Sequence, residues 1–322
     1  MKAVVQDRYG EADVLELREV DRPAVGDGDV LVRVRAAGVD PGVWHLMAGL
    51  PLPVRLASGL RTPRNPVRGT DAAGVVEEVG RNVTGLRPGD EVYGTCDGSF
   101  AEFALARPDM LAPKPARLDF EQAAAVPTSA TTALQALRDT GRLRAGQHVL
   151  VIGAAGGVGS YAVQLAKALG AEVTGMCSTG STDLVSSLGA DHALDRTRAE
   201  VTEGGHRYDL VLDTAGNRPL ALLRRTLTPR GTLVVVGGEA GGRWLQGIDR
   251  QLRAVALSPF VGQRLRTVLA RQRPDDLRFL TEAVEQGLVT PVVDRSYPLA
   301  EAAAAVRHIH TGHARGKVVL TV

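Results

Sequence analysis

The chain has little of what marks a secreted, membrane-spanning or nucleic-acid-binding protein. It carries two cysteines in 322 residues, Cys96 and Cys177. Two thiols can build neither a disulfide framework nor a four-cysteine structural zinc site. Charge of neither sign dominates: 38 Lys and Arg stand against 36 Asp and Glu, a net charge of +2. With no surplus of cations to meet phosphates, nucleic acid is not expected as a partner. No apolar run approaches the roughly 18 residues that a membrane helix needs, so no membrane partner is expected either. The opening Met1-Lys2-Ala3-Val4-Val5-Gln6-Asp7 is interrupted by charge at once, which is unlike a signal peptide. The expected compartment is the cytoplasm. Internal repeats and low-complexity tracts are missing too.

What remains is a globular composition, 44% hydrophobic and 23% charged. A chain of this length exceeds one ordinary core, and two domains are expected. The most informative stretch runs from His148 to Gly170. Val149 to Ile152 is a continuous apolar run that suits a strand buried on both faces. Glycines follow at 153, 156, 157 and 159, and then a helical pattern with Ala162, Leu165, Ala166 and Leu169 on one face. Gly170 is placed to end that helix in the left-handed conformation. Strand, glycine turn and helix together make a dinucleotide site. Glycines let the backbone approach the pyrophosphate, and free N–H groups at the helix start attract its charge. The spacing is Gly-x-x-Gly-x-x-Gly rather than the commoner Gly-x-Gly-x-x-Gly, and the flanking strand and helix are what strengthen it.

The rest of the chain falls on either side of that stretch. Before about residue 121 it reads as β-rich, with Val30, Val32 and Val34 on one face of a strand and Arg33 and Arg35 on the other. The region looks like a small antiparallel barrel. Leu46 to Arg68 interrupts it with four prolines and four arginines. A connection so long is either a lid over a substrate or a solvated surface excursion, and both readings stay open. Phe120 to Leu143 turns helical. From Val149 onward strands and helices alternate in the rhythm of a doubly wound parallel sheet. Gly316-Lys317-Val318-Val319-Leu320-Thr321-Val322 reads as a last strand that returns to the first domain.

Five stretches in this order carry a family resemblance: Gly69-Thr70-Asp71-Ala72-Ala73-Gly74, Pro88-Gly89-Asp90-Glu91-Val92-Tyr93-Gly94, Gly98-Ser99-Phe100-Ala101-Glu102-Phe103, the glycine turn, and Ala314-Arg315-Gly316-Lys317-Val318-Val319. The chain closely resembles the medium-chain dehydrogenase/reductase superfamily, and within it the zinc-independent quinone-oxidoreductase-like group. The resemblance covers essentially the whole chain. It implies an α/β fold, a GroES-like antiparallel β-barrel domain plus a Rossmann domain with a doubly wound parallel sheet. The expected boundaries are 1–121, completed by 270–322, for the GroES-like domain and 122–269 for the Rossmann domain. A homodimer is also implied only by resemblance.

Zinc-dependent relatives carry cysteine where this chain has Asp40, histidine where it has Asp71, and a second cysteine near Pro127–Thr132, where there is none. Three protein ligands of the usual kind cannot assemble, and no metal is expected. His308, His310 and His313 form a local run, read as a solvated helix end rather than a metal site.

The cofactor expected is NADPH. Gly153, Ala155, Gly156, Gly157, Val158 and Gly159 would hold the pyrophosphate. No carboxylate appears at the end of the next strand until Asp183; Ser178, Thr179 and Ser181 offer hydroxyls instead, and Arg196 follows the third strand. Hydroxyls and a guanidinium suit a 2′-phosphate. Family position implies Thr132 beside the nicotinamide, with Gly237 and Gly238 near its ribose or carboxamide. Asp40 stands where relatives more often carry asparagine. It is either a proton donor or the cap of the turn at Pro41-Gly42. His45 could relay a proton or be structural. The expected reaction is hydride transfer to a small quinone or α,β-unsaturated carbonyl without zinc. Two alternatives remain: a non-catalytic NADPH-binding regulatory protein, or an enoyl reductase dedicated to one pathway intermediate.

Overall fold

The computed structural model describes every residue except 199, 203, 204, 217, 238–243, 246 and 313. The first part of the chain forms β1 (Lys2–Val5), β2 (Glu16–Glu19) and β3 (Val30–Val39), then α1 (Pro41–Ala48) and α2 (Arg55–Ser58). β4 (Asp71–Val79), β5 (Glu91–Thr95), β6 (Phe103–Ala106) and β7 (Leu111–Pro113) follow. α3 (Phe120–Ala124) and α4 (Pro127–Gln135) lead to β8 (His148–Ile152), α5 (Gly157–Ala168), β9 (Glu172–Cys177), α6 (Thr182–Ser187), β10 (His192–Asp195), β11 (Tyr208–Asp213), α7 (Leu220–Arg225) and β12 (Leu227–Val235). The chain closes with α8 (Ile248–Leu257), β13 (Arg264–Thr267), α9 (Pro274–Glu285), β14 (Val293–Pro298), α10 (Ala302–His310) and β15 (Lys317–Thr321).

Two compact units result. One holds Met1–Thr131, Gln272–Gly287 and Pro291–Val322; the other holds Thr132–Arg271 and Leu288–Thr290. The division near residue 131 falls inside α4, so the helical stretch from Phe120 contributes to both.

In the first unit the main sheet runs β14-β15-β3-β4-β5-β7, with β6 also pairing β3. β3 shows the expected alternation: Val30, Val32 and Val34 are buried and Arg33 and Arg35 exposed. These valines meet Trp44 and Met47 of α1, Ala305 and Val306 of α10, and Val318 and Leu320 of β15 in one apolar cluster. The returning strand lies inside the edge strand β14: β15 pairs β3 antiparallel, Val318 opposite Val39. The sheet departs from a wholly antiparallel barrel at one place. β14 and β15 run parallel. The cause is α10, which carries the chain back across between them, as a parallel pair requires. The 46–68 stretch is not featureless: α1 ends in it, a 3-10 turn spans Leu52–Val54, and α2 follows. It is tied down by Tyr9, whose hydroxyl donates to the Gly59 carbonyl at 2.6 Å.

In the second unit the order is β10-β9-β8-β11-β12-β13, and every neighbouring pair is parallel. This is the doubly wound order, with its reversal between β8 and β11. Val149, Leu150, Val151 and Ile152 are sealed from solvent, as the unbroken apolar run requires. α5 is buried from Gly159 to Ala166. Its buried Gln164 exchanges hydrogen bonds with the Thr290 backbone at 3.0 and 2.8 Å. Gly170 follows α5 with φ of 81°, the left-handed stop expected there. No described helix is long and apolar enough to cross a membrane.

Candidate functional site

The residues expected to hold a dinucleotide gather at the carboxyl ends of the parallel strands. Ile152, Met176, Asp213 and Val235 end in register across β8, β9, β11 and β12. Directly after them come Gly153, the Ser178–Ser181 turn, Thr214 and Gly237. Gly153 has φ of 81°, and its N–H reaches the Met176 carbonyl at 3.0 Å. The turn closes when the Gly156 N–H meets the Gly153 carbonyl at 3.0 Å. Gly156 then stands as the N-cap of α5, with Gly157, Val158 and Gly159 as its first turn. A Cβ on Gly159 would lie 2.0 Å from the Gly153 oxygen, so only glycine lets the helix start this close to the strand.

Thr214, which the sequence alone did not single out, organises the far side. Its hydroxyl donates to the Ile152 carbonyl at 2.8 Å. A Cβ on Gly153 would strike that hydroxyl at 2.5 Å, and one on Gly237 would strike the Thr214 carbonyl at 2.4 Å. Glycines 153 and 237 therefore pack against one threonine at the switch point, where open α/β sheets bind their ligands. Only the family position hinted at Gly237. Gly238 lies outside the described residues.

Ser178 and Thr179 are exposed and Ser181 is buried. Ser178 and Ser181 share a hydrogen bond at 3.3 Å, and Thr179 meets Thr197 at 3.0 Å. Arg196 is exposed, its backbone N–H on the Cys177 carbonyl at 2.9 Å. Beside it stands a carboxylate that the sequence reading passed over. Asp195 accepts from the Thr197 N–H at 2.9 Å and hydroxyl at 2.8 Å, and the first of these bonds chiefly holds it below the usual carboxylate range. Its place in β10, opposite Cys177, puts it at this turn. Asp195 lies further along the sequence than the acidic residue usually sought.

Asp40 and His45 lie in the first unit, on α1. Asp40 caps that helix, its Oδ1 accepting from the Gly42 N–H at 2.8 Å, while its Oδ2 is buried without a partner. Such a cap is worth about 1 kcal/mol. The His45 Nδ1 sits 3.0 Å from the Leu50 carbonyl. A carbonyl only accepts, so Nδ1 carries the proton and Nε2 is left for other partners. Trp44 stacks on His310 at 4.7 Å between centroids, and His308 bonds Asp294 at 2.7 Å, so the two described histidines of the C-terminal run are engaged within their own unit. His313 lies outside the described residues. Thr132 belongs to the second unit. It sits inside α4, past the start at Pro127, so it is not a helix cap.

Strand pairing brings together a further group. Gly38 faces Asp71 across β3 and β4, and Val39 faces Val318 across β3 and β15, which sets Asp71, Asp40 and Lys317 at one end of three adjacent strands. Asp71 and Lys317 are buried, 3.9 Å apart. Asp71 also accepts from the Thr128 N–H at 3.0 Å and its hydroxyl at 2.5 Å, at the start of α4. Burial pushes Asp71 up to about 7, against the pull of the Lys317 ammonium and with the Asp40 charge adding to the rise. Cys96, nearby on the chain, is pushed up to about 12 by burial and is not a nucleophile.

These donors do not fit zinc. Both Asp71 oxygens are engaged by Thr128, one Asp40 oxygen is engaged by a helix, and an ammonium beside Asp71 repels a divalent cation. Among the described residues no group of three His, Cys, Asp or Glu is arranged as metal ligands would be.

Comparison with known proteins matches two stretches of the chain. Residues 26–116 match a family model described as alcohol dehydrogenase GroES-like domain, and residues 188–320 match one described as zinc-binding dehydrogenase. The chain is 30% identical over 334 residues to a chloroplast envelope quinone oxidoreductase homolog of Arabidopsis thaliana, covering 99% of this chain and 98% of that one. It is 34% identical over 335 residues to the chloroplastic NADPH-dependent alkenal/one oxidoreductase of the same plant, covering 99% and 79%. Among solved structures, the quinone oxidoreductase of Coxiella burnetii superposes with a TM-score of 0.85 at 28% identity, covering 100% of this chain and 99% of that one.

Proposed function

Because the chain belongs to the medium-chain dehydrogenase/reductase superfamily, in its quinone-oxidoreductase-like group, we propose that it is an NADPH-dependent reductase of quinones or α,β-unsaturated carbonyls that works without zinc. The observation that carries this reading is the glycine cradle around Thr214 at the sheet's switch point. It presents backbone N–H groups and a helix start to a pyrophosphate with no side chain in the way.

A bound nicotinamide supplies the hydride. The chain's own residues hold, orient and handle protons. Gly153 to Gly159 take the pyrophosphate, and Gly237 leaves room beside the adjoining ribose. Ser178, Thr179 and Arg196 meet the 2′-phosphate, with the guanidinium as its counter-ion. Asp195 bears on this preference, because a carboxylate at the same turn would suit an unphosphorylated ribose. Thr132 is assigned to the nicotinamide side by family position. Reduction of an enone at its β-carbon leaves an enolate that must gain a proton. Asp40, through Oδ2, and His45, through Nε2, are the acceptors we assign to relaying that proton from water to the enolate.

The test is NADPH oxidation with EDTA present against a benzoquinone, phenanthrenequinone, an enone and an alkenal, with NADH in parallel. Turnover with NADPH despite EDTA is expected. Silence across all four acceptors, while NADPH still binds by fluorescence, would overturn the reductase reading. Arg196→Ala is expected to raise KM for NADPH about tenfold, the loss of one charge-assisted contact, and to leave NADH unchanged. A wild-type protein that uses both cofactors equally sinks the NADPH assignment.

A further inference from the structure

Residues 41–70 contain Arg55, Arg61, Arg64 and Arg68 and neither Asp nor Glu. Elsewhere arginines of the same unit find carboxylates: Arg18 with Asp7 at 2.7 Å, Arg33 with Glu77 at 2.5 Å, Arg81 with Asp27 at 2.6 Å. Among the described residues none of the four has such a partner. For three of them, partly or fully exposed, water suffices. Arg68 is different, because it is 6% exposed and its Nε is buried with no hydrogen bond. Burial also pulls its guanidinium below the usual value, and the neighbour that opposes the pull is a neutral phenol, Tyr9.

Arg68 is not alone there. The Arg55 guanidinium lies 4.4 Å over the Tyr9 ring, held by its Nε on the Gly49 carbonyl at 3.0 Å. The Tyr9 hydroxyl donates to the Gly59 carbonyl and meets Ser58, and it is not a partner of the Arg68 Nε. Gln6 stands on the strand paired with 66–68, its N–H on the Pro66 carbonyl at 2.9 Å, and its side-chain Oε1 is buried without a partner. That oxygen is an acceptor without charge, and it is not a counter-ion. A buried cation without a counter-ion is costly, and natural sites remove the cost by pairing. Here no acidic residue lies between positions 41 and 70, and Asp71, three positions on, is held by Thr128 and Lys317 instead.

We propose that Arg68, with Arg55 beside the same Tyr9, forms an oxyanion site that takes the carboxylate or phosphate group of a small ligand. A planar guanidinium presents two parallel donors to either group, which a lysine does not. The site lies within the first unit and needs no nicotinamide.

Thermal unfolding of the full chain tests this without turnover, so it stands or falls apart from the reductase reading. The probes are crotonate, inorganic phosphate and the neutral isostere crotonamide, at ionic strength fixed with sodium chloride. Crotonate or phosphate is expected to raise Tm by about 2–4 °C at saturation, and crotonamide is not. A rise with crotonate alone assigns a carboxylate ligand; a rise with phosphate alone assigns a phosphate. Arg68→Met should lose the rise whatever its own Tm. Arg68→Lys, which keeps the charge and loses the fork, should need about tenfold more anion. Arg64→Met, exposed and outside the site, should respond like the wild type. The proposal is overturned if neither anion outdoes chloride on the wild type, or if the Arg68 variants respond as it does.

Discussion

Replacing Lys317 by methionine is expected to lower the unfolding free energy at pH 8 by about 1–1.5 kcal/mol more than at pH 5.5, because one pH unit above the folded value of Asp71 is worth about 1.4 kcal/mol. The pH dependence follows from Asp71. Its carboxyl is pushed up to about 7 by burial even with the ammonium 3.9 Å away. The unfolded value is about 3.9, so the folded state holds an extra proton between the two. Stability from that proton is fully present below the unfolded value and is lost as pH rises through the folded one. Without Lys317 the folded value climbs further, so above about pH 7, where the wild type levels off, the variant goes on losing stability and falls behind. Methionine keeps the length of the lysine stem and so isolates the charge. Urea midpoints at the two pH values are the measurement. An equal loss at both would mean that Lys317 acts by packing alone. Adding Asp71→Asn should restore part of the loss at pH 8, since a neutral pair needs no counter-charge.

Two alanines in the glycine turn should part company. Gly159→Ala places a methyl 2.0 Å from the Gly153 oxygen and 2.9 Å from the Ala154 Cα, all backbone. The turn must open or the helix must shift. We expect a loss of about 1–3 kcal/mol, the usual range for forcing extra volume into a tight place, and at least tenfold weaker NADPH binding. Gly156→Ala is a milder case. Its φ is −82°, and the nearest atom to the new methyl is 3.3 Å away. Here the fold should survive within about 1 kcal/mol. The methyl would stand where the backbone must approach the pyrophosphate, so cofactor affinity should still drop. Fluorescence titration with NADPH beside urea unfolding separates the two effects. If Gly159→Ala binds NADPH like the wild type, the cradle is not the dinucleotide site.

Much of the second unit is legible in the sequence because its signals are local. The buried run of β8, the glycines after it and the stop at Gly170 all lie within one stretch, and each is set by sterics or burial over a few residues. The end of β15 is legible as a strand, but its partner is not, since pairing between distant segments leaves no local trace. The Asp71–Lys317 pair shares that invisibility. Both residues fall in stretches that mark the family, yet nothing in either says that they meet. Thr214 was hidden for a related reason: a lone threonine after a strand reads as a turn until the neighbouring strands are in register. The parallel β14–β15 pair depends on α10 crossing back, which the period of α10 does not reveal. Asp40 reads from sequence as either donor or cap; its Oδ1 caps α1, and its Oδ2 is buried without a hydrogen bond.

The place of β15 also bears on how the protein is made. Val318, Val319 and Leu320 are wholly buried between β14 and β3, one strand in from the edge of a sheet whose other strands are mostly translated before residue 114. Domains usually fold as units in the order they leave the ribosome. In this chain the order is inverted. Residues 132–271 can assemble their parallel sheet while the first unit still waits for residues 293–321. Until then the flank of β3 that β15 will cover is an open strand edge, the kind of surface that invites wrong pairing. The unit that begins synthesis is the last to be finished, and its nascent form is the one a chaperone would have most reason to hold.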